Sequence, residues 1–159
     1  MRLERIIVLV VVCLGAVGAT ACARRPSATP PSSAVKGPLC RLVTVTELPP
    51  AQRTVGPGRW SVELPVDGPV LATHEARFAK RHITPNGEAW AGLLEQCLAK
   101  EGQPFAKDIH LDPEASSLHA WVESDRSRDR LVTAMCRAVD DRAWLDACLA
   151  SVDRSQLDD

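Results

Sequence analysis

The chain has 159 residues, 19 basic and 20 acidic side chains, a net charge of -1, six cysteines and no tyrosine. No basic surplus marks it for nucleic acid or for an anionic lipid surface. It carries no GxSxG, HExxH, P-loop or dinucleotide-binding fingerprint, so none of the common catalytic motifs is present.

Residues 1–21 read as a lipoprotein signal peptide. Met1 to Arg5 is net positive, Ile6 to Leu14 is an aliphatic run, and the small residues Gly15 to Ala21 lead into Cys22. The aliphatic run is about half of the roughly 20 residues that a membrane-spanning helix needs. The pattern predicts that the Cys22 thiol takes up a diacylglycerol and becomes the new amino terminus. The protein would then sit on the outer face of a cell membrane, lipid-anchored and extracytoplasmic. An uncleaved anchor and an ordinary cleaved signal are the rival readings, since Ala19 stands where leucine is commoner. Residues 22–38 form the lipidated cysteine and a Pro/Ser/Ala-rich linker that cannot bury a core. Residues 39–159 suit a single domain. Without Arg2, Glu4 and Arg5 the balance is 17 basic to 19 acidic residues, a net of about -2.

Along that domain, Leu39 to Leu48 is rich in β-branched residues and predicts a strand, ended by Pro49 and Pro50. Gly56-Pro57-Gly58 is a turn. Trp60, Val62, Leu64 and Val66 alternate with Ser61, Glu63 and Pro65, the period of a half-buried strand. After the turn Asp67-Gly68-Pro69, residues Val70 to His82 are ambiguous and fit a strand running into a short helix. Trp90, Leu93, Leu94, Cys97 and Leu98 then form one helical stripe, started by Thr84-Pro85 or Asn86 and ended by Gly102 and Pro104. Asp108 to Leu111 and Leu118 to Val122 predict a β-hairpin around the turn-forming stretch 112–117. If Asp112 pairs with Ser117, His110 faces His119. Ser124-Asp125 caps a further helix with the stripe Leu131, Ala134, Met135 and Ala138. Asp140-Asp141 breaks it, and Trp144, Leu145, Cys148, Leu149 and Val152 share a face of the last helix. These elements predict an α+β fold: a mostly antiparallel sheet, a central helix, and a C-terminal helical hairpin packed on one face.

Cys40, Cys97, Cys136 and Cys148 form an even set, which in an exported chain predicts two disulfides. Three connectivities are open. Cys136 and Cys148 each lie six residues from a turn near residue 142, about 9 Å along either helix axis. An antiparallel helix pair brings them level, which favours Cys136 with Cys148 and leaves Cys40 with Cys97. Four buried free thiols are the alternative. No CxxC step supports thiol–disulfide catalysis or a zinc site.

Candidate chemistry is sparse. His110 and His119 are two imidazoles without a third metal ligand placed by spacing, and a plain cross-strand pair explains them better than a metal site. Asp112 and Glu114 suit general acid–base work or an ordinary turn, where aspartate precedes proline. Trp60, Trp90, Trp121 and Trp144 suit core packing better than a binding platform. The acidic residues of the carboxyl half, among them Glu123, Asp125, Asp140 and Asp141, suit helix starts and a solvated face, or an acidic surface that steers onto a basic partner.

The step Asn86-Gly87-Glu88-Ala89-Trp90, followed by Leu111-Asp112-Pro113-Glu114-Ala115 and by Leu118, resembles the immunity protein 51 family of bacterial polymorphic-toxin systems. The likeness covers roughly residues 82–152. Leu111 stands where that family carries an aromatic residue, and Ser116-Ser117-Leu118 stands for Gly-Met-Phe. The resemblance implies that Asn86, Gly87, Trp90 and Pro113 are structural motif residues and that Asp112 and Glu114 contact a protein toxin. The function expected is a membrane-anchored, non-enzymatic binding module with no cofactor and no catalytic residue, whose partner is a protein toxin or another envelope protein. An envelope enzyme or metal-dependent hydrolase using His110, His119, Asp112 and Glu114 is one alternative. A structural cell-envelope lipoprotein is the other.

Overall fold

The computed structural model describes residues 37–53 and 58–157. The predicted signal peptide, Cys22 and most of the predicted linker lie outside the described residues, as does part of the Gly56-Pro57-Gly58 turn. The elements run in the order of a 3-10 turn Cys40–Leu42, β1 Thr44–Glu47, β2 Trp60–Pro65, α1 Gly68–Ala79, α2 Gly87–Lys100, β3 Ile109–Pro113, β4 Ser117–Val122, α3 Asp125–Asp140, α4 Arg142–Ser151 and a closing 3-10 turn Arg154–Gln156. The four strands form one antiparallel sheet in the order β1-β2-β4-β3. The fold is α+β, as the patterning predicts. Among the described residues no helix is long and apolar enough to cross a membrane.

The period of two sorts each strand into two faces. Val62, Leu64, Leu118, Ala120, Val122 and Ile109 point inward and are buried. Helices α2 and α3 lie on that face, and α4 packs against both of them. Trp90 of α2 is fully buried at the centre, tilted against Phe78 at 4.9 Å and edge-on to His74 at 5.7 Å between ring centroids. Truncating an aromatic side chain so enclosed costs about 3–5 kcal/mol.

Three local expectations are corrected. The predicted strand 39–48 is only four residues long. Its first part is wound into the 3-10 turn because the Asp140 carboxylate accepts the N–H groups of Leu39 at 3.0 Å and Cys40 at 2.9 Å. A partner 100 residues away thus overrides local β-propensity. The ambiguous stretch after Asp67 is entirely helical over Gly68–Ala79, with the buried stripe Val70, His74 and Phe78 at four-residue spacing. The histidine in that stripe hides its apolar period. The hairpin is also tighter than expected, with only residues 114–116 between its strands. Its register pairs Asp112 with His119 and His110 with Trp121, so the two histidines do not face each other.

All four domain cysteines form disulfides, but with the other pairing: Cys40 with Cys136 and Cys97 with Cys148, at Cα separations of 4.4 and 5.7 Å. The reason is helix rotation. Cys136 and Asp140, four residues apart on α3, both face the 3-10 turn that contains Cys40. Helix α4 turns Trp144, Cys148 and Ser151 onto α2. There the Trp144 indole N–H donates to Glu101 at 2.7 Å, and Lys100 donates to the Ser151 carbonyl. Axial level alone did not fix which cysteines meet.

Candidate functional site at the hairpin and the open sheet face

The two motif segments, far apart in sequence, meet at the start of α2. Asn86 caps the helix by accepting the Ala89 N–H at 2.8 Å. The next N–H, that of Gly87, has no partner inside the helix and donates instead to the Glu114 carbonyl at 3.0 Å. A Cβ at Gly87 would overlap the carbonyl oxygens of both Glu114 and Ser117. Glycine is required there by close backbone approach, not by a positive φ. Pro113 ends β3 opposite Leu118. Asn86, Gly87, Trp90 and Pro113 therefore fasten the hairpin to the central helix, and Asp112 and Glu114 are carried out into solvent by that joint.

The second feature is the sheet face opposite the helices. Ser61 of β2, His119 of β4 and Asp112 of β3 stand side by side on it. The Ser61 hydroxyl lies 2.9 Å from His119 Nε2, and His119 Nδ1 lies 3.7 Å from the Asp112 carboxylate. Trp121 meets the His119 ring edge-on at 4.5 Å. His110 is directed instead to Glu123 at 3.4 Å. Among the described residues no group of three or more His, Cys, Asp or Glu is placed to hold a metal ion.

The order serine, histidine, carboxylate invites comparison with nucleophilic catalysis. The serine–histidine distance meets the requirement for an activated nucleophile. The histidine–carboxylate distance is beyond a hydrogen bond. Ser61 and His119 also lie on the two central strands, where backbone N–H groups are engaged in the sheet ladder and so are not free to hold an oxyanion beside Ser61. The arrangement is suited to accepting and donating hydrogen bonds to a docked surface, with Trp121 as a half-exposed aromatic neighbour.

Two titratable groups elsewhere are shifted, and both pin the frame. Burial lowers the pKa of His74, opposed by the hydrogen bond between its Nε2 and the Val139 carbonyl at 2.9 Å. The hydroxyls of Ser124 and Ser127, each donating at 2.7 Å, hold the Asp108 carboxyl below its usual range and tie the foot of β3 to the first turn of α3. Sequence reasoning passed over Ser61 as a site residue. Its outward position was legible from the alternation of Trp60 to Val66, but its neighbour on β4 was not. Comparisons with protein-family models, with curated proteins and with solved structures give no match for this chain.

Proposed function

We propose that this chain is a non-enzymatic binding module, held at the outer face of a membrane by a lipid on Cys22, that recognises another protein. Neutralisation of a toxin is the most specific form of that reading. It is supported by one observation above others: among the described residues, helices cover a single face of the sheet, while the opposite face and the hairpin hold out Ser61, His119, Asp112 and Glu114. The two disulfides suit an oxidising compartment. Co-purification from detergent extracts tests the reading. A stoichiometric protein partner is expected, and Asp112→Asn with Glu114→Gln should weaken its retention. Recovery of no partner, with any toxin encoded next to this gene still lethal in its presence, would overturn it.

A second reading, an envelope hydrolase, is favoured by the Ser61–His119–Asp112 row. A fluorophosphonate probe decides between them. Labelling that disappears in Ser61→Ala and in His119→Ala would make the row catalytic; a chain that resists the probe leaves it a contact surface. A structural role in the envelope remains the third reading, and a wall defect on deletion without toxin sensitivity would favour it.

A further inference from the structure

Strand β3 is an edge strand, and the ladder shows which of its backbone groups are open. Glu114 and Ser117 exchange both backbone hydrogen bonds, at 2.8 and 3.4 Å, and the Glu123 N–H donates to the Asp108 carbonyl at 3.1 Å. Antiparallel bonding alternates, so residues 108, 110, 112 and 114 turn their main chain toward β4. Ile109, Leu111 and Pro113 turn theirs to the open edge. The Ile109 N–H is already bonded to the Ala106 carbonyl and Pro113 has none to give. Among the described residues, what remains is the N–H and C=O of Leu111, flanked by the carbonyls of its two neighbours on that edge.

Beside this edge runs a cavity of about 300 Å³. Its walls include Leu111 and, on α2, Glu88, Ala91, Gly92 and Glu95, with the Leu157 side chain packed directly on Gly92. The helix residues form one face over two turns, small in the middle and acidic at both ends. Their charge is uncompensated. Among the described residues Glu88, Glu95 and Glu114 have no ion pair with a basic side chain. Arg53, Arg59, Arg77, Arg128 and Arg137 all do.

We infer that the open edge of β3 and the adjoining face of α2 take an extended segment of a protein partner as an added strand, and that this segment carries lysine or arginine. The inference rests on the binding reading above and names the partner's chemistry. Main-chain pairing at Leu111 would supply register, and the carboxylates at either end of the groove would select positive charge. Pairing of two copies of this chain through the same edge is disfavoured, because it would bring Glu88, Glu95, Asp112 and Glu114 against their own kind.

The test uses the detergent-solubilised full chain and a short peptide in which lysine alternates with valine or threonine. Binding should slow hydrogen exchange at the Leu111 amide. It should be lost when glutamate replaces the lysines, or when the peptide's pairing nitrogens are methylated. Glu88→Lys with Glu95→Lys, both at exposed positions, should weaken binding about tenfold. Equal binding of the glutamate peptide, protection on β1 instead of β3, or no effect of the two reversals would overturn the inference. So would a concentration-dependent dimer that protects Leu111 without any peptide. If a natural partner is retained by the charge-reversed chain but released by Asp112→Asn with Glu114→Gln, the groove assignment fails and the binding reading stands. If the wild-type chain retains no partner, the binding reading itself fails.

Discussion

The backbone N–H of Gly87 donates to the carbonyl of Glu114 at 3.0 Å, fastening the first turn of α2 to the hairpin loop. No side chain fits between them, since a Cβ at Gly87 meets two carbonyl oxygens. Gly87→Ala should therefore push the loop away, break this bond and lower stability by about 2–4 kcal/mol. Asn86→Ala removes the cap and an exposed bond to Glu88, leaves the joint to the hairpin in place, and should cost about 1 kcal/mol. Urea unfolding midpoints of the two variants check the order. Equal small losses would show that the joint is loose.

The disulfide pairing yields a direct prediction. Peptide mapping without reductant should recover Cys40 linked to Cys136 and Cys97 linked to Cys148, separated by 96 and 51 residues in sequence. Loops of that length restrict the unfolded chain strongly. Replacing Cys97 and Cys148 together by alanine should cost about 2–5 kcal/mol. A fragment joining Cys136 to Cys148 would refute the arrangement of α4 on α2.

His74 makes stability depend on pH. It is wholly buried in α1, and burial is the largest influence lowering its pKa from about 6.5. Arg77 on its own helix and Arg142 on α4 lower it further. The Val139 carbonyl and Asp140, both at the end of α3, raise it. The unfolded chain therefore binds this proton more readily than the folded one. Stability from the neutral ring is complete above about pH 6.5 and is lost as pH falls toward the lowered folded value. Thermal midpoints measured from about pH 7.5 down to 5 should fall, and His74→Phe should flatten that fall. An unchanged slope in the variant would exclude His74 as its source.

Asp108 works in the opposite sense chemically but with the same direction in pH. Two serine hydroxyls favour its ionised form, so its contribution is present above the ordinary value of 3.8 and is lost as pH falls below it. Asp108→Asn keeps one accepting oxygen for two hydroxyls and leaves either Ser124 or the buried Ser127 short of a partner. The expected cost is about 1–2 kcal/mol at neutral pH, narrowing on acidification. Denaturant titration of both proteins at neutral and low pH checks this.

Much of the frame was legible in one dimension. Strand β2, helix α2, and the two terminal helices with their caps follow from apolar periods and capping residues, which are short-range properties of the chain, while the structure chose Asn86 over Thr84-Pro85 as the start of α2. The even set of domain cysteines likewise pointed to two disulfides. Helix α1 was obscured because a histidine occupies its core stripe, and the 3-10 turn at Cys40 because its cap, Asp140, comes from α3.

The sequence by itself thus determined β2, α2, the hairpin and the two terminal helices, their order, and the apolar stripes of the helices. Only the tertiary structure decided which neighbours those sides would meet. Hairpin register set Asp112, and not His110, beside His119; the rotation of α4 sent Cys148 to Cys97; the strand order placed Ser61 next to His119 and left β3 at an edge. Period and capping act over a few residues, whereas register, helix rotation and strand order are fixed by packing between segments that a linear pattern does not relate.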